Sequence, residues 1–244
     1  MIHRAMVLAA GRGTRLAPFT DRLPKPLMPV AGRPMLAHIL EFLRSGGIDE
    51  VVINLHHLGH LIEAEIGDGR RFGLRVRYSW EPEILDTGGG IKRAQPLLAD
   101  APFVVANGDS LLELPVRQVI EAHRARDGIA TMVVRPASDA ARWGVVELDA
   151  SDRVRRIAGL PEGPPPPGPI RRFMFPGLHV FEPRVFAYMR PGTAFSVIRE
   201  TYPAMLRAGE PVHGFVTAAR WLTIDTPAEL AAAHATLEQA PFRY

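Results

Sequence analysis

The 244-residue sequence predicts an α/β fold with a mixed, mainly parallel sheet flanked by helices. Two observations predict it: short apolar runs alternate with segments of helical period through the first half, and a glycine-rich turn leaves the first of those runs. Residues 5–9 form a short apolar strand ahead of Gly11. Residues 35–44 carry a helical period that Gly46 and Gly47 stop. A second strand follows at 51–55, a short helix at 58–66 ends at Gly67, and alternation at 74–79 gives a third strand. Residues 90–98 read as helix, and 103–106 as an apolar strand opening into Asn107-Gly108-Asp109. Strand–helix–strand units at this spacing imply right-handed crossovers.

The second half changes character. A helix at 116–126 precedes strands at 130–135, 144–148, 154–157 and 173–181, then helices at 183–189 and 195–208. Strands at 212–216 and 221–224 follow, and a helix at 227–239 opens with Pro227 at its favoured first position. Pro164 to Pro167, with Pro169, cannot join a ladder and predict an exposed extended loop. No internal repeat is visible, so residues 1–244 read as one domain.

Composition narrows the function. A hydrophobic fraction of 47% with 23% charged residues is ordinary for a soluble protein. The net charge of +3 carries no block of like charges, so neither nucleic acid nor a membrane surface is an expected partner, whereas small anionic substrates are compatible. The absence of cysteine excludes disulfides, thiolate metal sites and cysteine nucleophiles together. The apolar run at the start is too short for a signal peptide and enters a glycine turn, so the expectation is a cytoplasmic enzyme.

The most informative stretch is Leu8-Ala9-Ala10-Gly11-Arg12-Gly13-Thr14-Arg15-Leu16, then Pro18, Thr20, Pro24-Lys25-Pro26-Leu27 and Pro29-Val30. Lys25 is one of two lysines among 29 basic residues and sits between prolines. An ammonium is a compact point charge where guanidinium is a planar fork, so a rigidly mounted lysine facing a glycine turn points to phosphate. The dinucleotide fingerprint would need glycine at Leu16, and the glycine-lysine-serine/threonine of a P-loop occurs nowhere. Asp109 and Asp225 each follow an apolar run, at the sheet edge where ligands gather. As a pair they suit Mg²⁺; singly, Asp109 closes an Asn-Gly-Asp turn and Asp225 caps the helix after Pro227. The three glycines Gly88-Gly89-Gly90 ahead of a helix allow close approach of a flat base, with Asp86 and Thr87 as alternative helix caps.

Taken together, the stretch resembles the signature of the sugar-1-phosphate nucleotidyltransferases, matching more than a dozen positions over about 23 residues in order. Further matches fall at Gly88-Gly89-Gly90, Asn107-Gly108-Asp109, Trp221 and Asp225-Thr226-Pro227, so the resemblance spans nearly the whole chain. It implies a Rossmann-like domain with a nucleotide-binding half (about residues 1–112) and a sugar-binding lobe with a C-terminal helix (about 113–244). The implied reaction joins a sugar 1-phosphate to a nucleoside triphosphate, giving a nucleotide-sugar and pyrophosphate. The implied nucleotide site comprises Leu8, Ala9, Ala10, Gly11, Gly13, Thr14, Arg15, Lys25, Gly88 and Asn107. Gly89, Asn107 and Gly177 would face the sugar. Arg15 would grip the departing pyrophosphate, Lys25 would neutralise the α-phosphate, and Asp109 with Asp225 would hold magnesium.

The chemistry asks for little else. A phosphate monoester is largely dianionic at neutral pH, so the nucleophile needs no general base and none of the nine histidines need be catalytic. Positioning and charge neutralisation are what remain. The run from Gly67 to Leu74, with Asp86 to Ile91 and Pro96-Leu97-Leu98, looks most like the N-acetylmuramate 1-phosphate uridylyltransferases of cell-wall recycling; the mannose-1-phosphate guanylyltransferases share much of the pattern. Expected partners are therefore UTP or GTP and a sugar 1-phosphate, with the chain a monomer or homodimer.

Two departures stand out. Where many members carry Glu-Lys-Pro, this chain reads Gly159-Leu160-Pro161-Glu162-Gly163, which leaves the sugar phosphate to Arg171 or Arg172, or to Lys25 and metal. Ile224-Asp225-Thr226-Pro227 lacks the glycine that commonly precedes the threonine. The missing lysine keeps open a reading of another class, a non-catalytic nucleotide-sugar-binding regulatory subunit; a cytidylyltransferase of a non-sugar phosphate would share the front half. His179 reads as a packed histidine and Lys92 as a solvated helix residue.

Overall fold

The computed structural model describes residues 2–136, 144–164, 166 and 168–244; Pro165 and Pro167 of the expected proline loop lie outside the described residues. The strands are β1 (Arg4–Leu8), β2 (Pro29–Val30), β3 (Arg33–Pro34), β4 (Glu50–Leu55), β5 (Arg75–Trp80), β6 (Phe103–Asn107) and β7 (Ser110–Leu112). They continue with β8 (Ala130–Val134), β9 (Val145–Leu148), β10 (Val154–Ile157), β11 (Arg171–Met174), β12 (Leu178–Phe181), β13 (Val212–Val216) and β14 (Trp221–Thr223). The α-helices are α1 (Met35–Ser45), α2 (Gly59–Ile66), α3 (Asp86–Arg93), α4 (Gln95–Leu98), α5 (Val116–Arg124), α6 (Tyr202–Arg207) and α7 (Pro227–Gln239).

Seven strands form the central sheet in the order β13-β8-β12-β6-β1-β4-β5. Every neighbouring pair is parallel except the two that β12 makes, with β6 and β8. The apolar runs are continuous because the strands are covered on both faces. In β1, Ala5 and Val7 enter the core beneath α1, while Met6 enters the core on the opposite face. The same division splits β4 (Val51, Ile53 and Leu55 against Val52) and β6 (Val104 and Ala106 against Phe103 and Val105). Among the described residues, no helix is long and apolar enough to cross a membrane.

Three expectations are corrected. The run 173–181 is two strands: β11 belongs to a three-stranded antiparallel sheet, β10-β9-β11, and β12 to the central sheet. The chain changes sheet at Phe175-Pro176-Gly177, where Gly177 has φ +97°. The triple glycine lies inside α3 instead of ahead of it, and α3 ends at Arg93 before the separate turn α4. The expected helix 195–208 begins as a widened helical turn, Val197–Thr201, with the Ser196 side chain accepting from the Arg199 N–H, and becomes α-helical only at α6. One pairing was not anticipated: β7 and β14 form a two-stranded antiparallel ribbon, Ser110 opposite Thr223.

Candidate active site

The glycine turn runs off the carboxyl end of β1 at the centre of the sheet. Gly13 holds φ +61°, and a Cβ there would come within 2.9 Å of Thr20 Cγ2 and 3.0 Å of Lys25 Cβ. Gly13 is therefore what lets the turn close over the Lys25 stem. The Thr20 hydroxyl donates to the Gly13 carbonyl at 3.0 Å and braces the turn from below. Among the described residues, no protein group accepts from the backbone N–H groups of Gly11, Arg12 or Gly13. Successive unused N–H donors beside an ammonium make an anion-binding concavity.

Lys25 opens a short 3-10 turn, Lys25–Leu27, with Pro24 extended before it and Pro26 buried inside it. That mount aims the side chain, 11% exposed, at two carboxylates. Lys25 Nζ donates to Asp109 Oδ2 at 2.5 Å and also to Asp225 Oδ1. The β7–β14 ribbon brings the acids together: the Ile224 N–H and the Thr223 hydroxyl both donate to the Asp109 carbonyl, at 3.2 and 3.3 Å. Arg15 Nη2 adds a second cation 3.0 Å from Asp225 Oδ1. Burial works against the Lys25 ammonium, but the charge and hydrogen bonds of Asp109 and Asp225 outweigh it and raise its pKa above the ordinary lysine value. Asp225 does not cap α7; Thr226 does, its hydroxyl accepting from the Glu229 N–H at 3.3 Å.

Two cavities meet at this cluster. One, of about 400 Å³, is lined by Leu8, Ala10, Gly11, Asn54, Glu81, Asp86, Thr87, Asn107 and Asp109 among others. The second, of about 360 Å³, is lined by Arg15, Asn107, Asp109, Phe175, Pro176, His179, Trp221 and Asp225 among others. Thr87, Asn107 and Asp109 are common to both, the latter two at the carboxyl end of β6. Of the residues expected from the sequence, Leu8, Ala10, Gly11, Arg15, Lys25, Asn107, Asp109 and Asp225 thus converge. Gly177 stands directly behind Asn107: its carbonyl accepts the Asn107 N–H at 2.8 Å, and a Cβ there would meet the Asn107 side chain at 2.8 Å.

Others are placed differently. Ala9 turns inward, its N–H donated to Asn54 Oδ1 at 2.7 Å. Thr14 begins the 3-10 turn Thr14–Leu16 at the exposed end of the glycine turn. Gly88 and Gly89 pack beneath the segment before α6, where a Cβ on Gly88 would meet the Phe195 ring at 2.2 Å and one on Gly89 the Thr193 carbonyl at 2.5 Å. The residues that α3 presents to the cavity are Asp86 and Thr87. Arg171 and Arg172 are ion-paired with Asp152 and Glu147 in the small sheet, away from the second cavity. Lys92 is half-buried, and its ammonium donates to the Phe186 carbonyl at 2.9 Å. His179 is packed as expected, with Nδ1 2.7 Å from the Tyr202 hydroxyl, and burial pushes its pKa down to about 3.

Sequence reasoning missed Asn54 and Glu81. Asn54 Nδ2 donates to Glu81 Oε1 at 2.7 Å, and the Leu85 N–H donates to Glu81 Oε2 at 3.0 Å. Glu81 is 3% exposed, and burial raises its pKa against the pull of these bonds. The available signals were a single amide in the apolar run Val51-Val52-Ile53-Asn54-Leu55 and a carboxylate wedged between Trp80 and Pro82.

The nucleotidyl transferase family matches residues 4–240. The chain belongs to that family. Its relatives include a mannose-1-phosphate guanylyltransferase of Mycobacterium tuberculosis, 35% identical over 234 residues, covering 96% of this chain and 64% of the relative. A UTP–glucose-1-phosphate uridylyltransferase of Synechocystis is 32% identical over 234 residues, 91% of this chain and 60% of the relative. An N-acetylmuramate α-1-phosphate uridylyltransferase of Neisseria meningitidis serogroup B is 49% identical over 112 residues, 46% of this chain and 48% of the relative. The chain thus spans less than two thirds of the length of these relatives. Among solved structures, HddC of Yersinia pseudotuberculosis superposes with a TM-score of 0.79 at 24% identity, covering 97% of this chain and all of that one. A UDP-glucose pyrophosphorylase of Acinetobacter baumanii gives 0.79 at 18% identity, over 99% and 96%. At these identities the structures speak for the nucleotidyl transferase fold alone.

The cluster also tests the fit of a divalent cation. Two hard oxygen donors converge on one point, now held by the Lys25 ammonium, and that point opens onto both cavities. Among the described residues, no group of three or more His, Cys, Asp or Glu side chains forms a closed cage. Two carboxylates with the remaining positions left to water and substrate oxygens is a donor set that suits Mg²⁺.

Proposed function

We propose that the chain transfers a nucleotidyl group from a nucleoside triphosphate to a sugar 1-phosphate in the presence of Mg²⁺. The observation that carries this is Lys25, held between Asp109 and Asp225 and packed against the glycine turn with its free N–H groups. An oxygen of the sugar phosphate bonds to the α-phosphorus as the bond from that phosphorus to the bridging β-oxygen breaks. Pyrophosphate departs with the bridging oxygen and its electron pair, and no proton need move. Asp109 and Asp225 would hold Mg²⁺, which supplies charge neutralisation at the reacting phosphate. The turn from Gly11 holds phosphate oxygens, Lys25 faces the α-phosphate and Arg15 the leaving pyrophosphate. The smaller wall of Asn54, Glu81, Asp86 and Thr87 frames the base.

For the substrates we favour UTP and N-acetylmuramate 1-phosphate, supported by the 49% identity over 112 residues to the Neisseria protein. GTP and mannose 1-phosphate are the second reading, supported by the match along 96% of the chain to the Mycobacterium protein. Purified protein given each triphosphate, each sugar phosphate, Mg²⁺ and pyrophosphatase decides between them by phosphate release. Release with UTP and N-acetylmuramate 1-phosphate is expected. Release only with GTP and mannose 1-phosphate transfers the assignment, and binding without release across the panel overturns catalysis in favour of a regulatory subunit.

A further inference from the structure

Arg135 is the first residue past β8. Because β8 and β6 both run antiparallel to the intervening β12, their carboxyl ends share one edge of the central sheet. Two strand spacings put the Arg135 backbone about 10 Å along that edge from Asn107. It exchanges both backbone hydrogen bonds with Met174, at 3.0 and 2.9 Å, which fixes it beside Phe175 and Pro176. Its guanidinium carbon lies 5.8 Å from the centroid of the Trp221 ring. Trp221, Phe175 and Pro176 all line the second cavity.

Among the described residues, the buried Nε of Arg135 has no hydrogen-bond partner and no carboxylate pairs with the guanidinium. The other cations of the cleft differ: Lys25 and Arg15 are committed to Asp109 and Asp225. A buried donor with no acceptor is costly unless a ligand supplies one. Position says which part of a ligand this is. Trp221 and Asp225 lie four residues apart, about 13 Å along an extended chain, so Arg135 adjoins the Trp221 wall of the cavity, the wall remote from the carboxylate pair.

We propose that Arg135 binds a carboxylate carried on the sugar ring, so that the chain selects acidic sugar 1-phosphates over neutral ones. This rests on the nucleotidyl-transfer reading above. A guanidinium stacked on an aromatic face keeps its in-plane donors free, and these match a carboxylate in paired geometry.

The test compares kcat/KM for N-acetylmuramate 1-phosphate and N-acetylglucosamine 1-phosphate, the same ring without the lactyl acid, in wild type, Arg135→Gln and Arg135→Lys. Wild type should prefer the acidic sugar, and Arg135→Gln should reduce that preference by about 10²-fold. Arg135→Lys keeps the charge without the fork and should recover part of it; it also keeps the test readable where the glutamine variant unfolds. A parallel fall for both sugars, or a wild-type preference for the neutral one, overturns the assignment while nucleotidyl transfer stands. No turnover of any sugar 1-phosphate overturns the nucleotidyl-transfer reading itself, and the Arg135 assignment with it.

Discussion

Replacing Lys25 by methionine separates what the ammonium does for the fold from what it does for the reaction. The two carboxylates each contact one nitrogen, so they sit about 5 Å apart. Two unit charges at that separation repel by about 3 kcal/mol at an effective dielectric of 20. Arg15 stays on Asp225 in the variant, but its side chain is 64% exposed and offsets only part of the repulsion. A net loss of about 2 kcal/mol follows, or about 4–8 °C in Tm for a chain of this size. The sign with pH is fixed: the Lys25 pKa is raised, so its contribution is complete below the ordinary lysine value and fades only as pH climbs through the raised one. Thermal unfolding followed by circular dichroism in EDTA at neutral pH measures the loss. The double variant Lys25→Met/Asp109→Asn should regain most of the stability, since one repelling charge is gone, yet stay about 10²–10³ slower than wild type in pyrophosphate release. Added Mg²⁺ should raise the Tm of Lys25→Met more than that of wild type. A Lys25→Met protein that unfolds at or above the wild-type temperature in EDTA would refute the idea that the ammonium holds the carboxylates together.

Further outcomes are expected elsewhere. Glu81→Gln should cost about 1–3 kcal/mol in urea unfolding, because the amide must point a donor at either Asn54 Nδ2 or the Leu85 N–H; wild-type stability would remove the network. His179, with its pKa pushed down to about 3, adds stability that is complete above pH 6.5 and is lost as pH falls. Its share of the slope is at most about 1.4 kcal/mol per pH unit and should be missing between pH 6 and 5 in His179→Gln. Gly177→Ala should lower stability by about 1–3 kcal/mol and raise KM for the sugar phosphate, because φ +97° is strained for alanine and its Cβ would press on Asn107; an unchanged KM would separate Asn107 from the sugar.

The layered sheet was legible because its strands are apolar on both faces, which makes β1, β4 and β6 unmistakable as runs. Lys25 was legible for a different reason: two prolines fix its backbone, so local sequence alone aims it. The partnership of Asp109 and Asp225 was suggested by their place after two apolar runs and by the resemblance. What builds it is the β7–β14 ribbon, three residues on each strand and a hundred positions apart, too short to show periodicity. The break at Phe175-Pro176-Gly177 was hidden because apolar residues continue through it, and only the change of sheet reveals two strands. Gly88 and Gly89 misled because glycine disfavours helix, and propensity yielded to the close packing of Phe195 and Thr193. Arg135 carries no local signal at all; its meaning comes from Trp221, 86 residues on.

The least legible part of the site is also the most tightly specified. From the Ala9 N–H the bonds run to Asn54 Oδ1, from Asn54 Nδ2 to Glu81 Oε1, and from the Leu85 N–H to Glu81 Oε2. Both ends are backbone donors, which cannot reverse. Asn54 must therefore turn its oxygen to Ala9 and its amide to Glu81, and Glu81 must accept at both oxygens. Burial raises the Glu81 pKa, and this donor set draws it back only in part. Gly90 completes the arrangement, because a Cβ there would fall 2.7 Å from Glu81 Oε1 and 2.8 Å from Asn54 Nδ2. One polar residue in an apolar strand thus ties the start of the glycine turn to the start of α3. The two walls of the first cavity are held at a fixed spacing by a chain of bonds with a single allowed polarity.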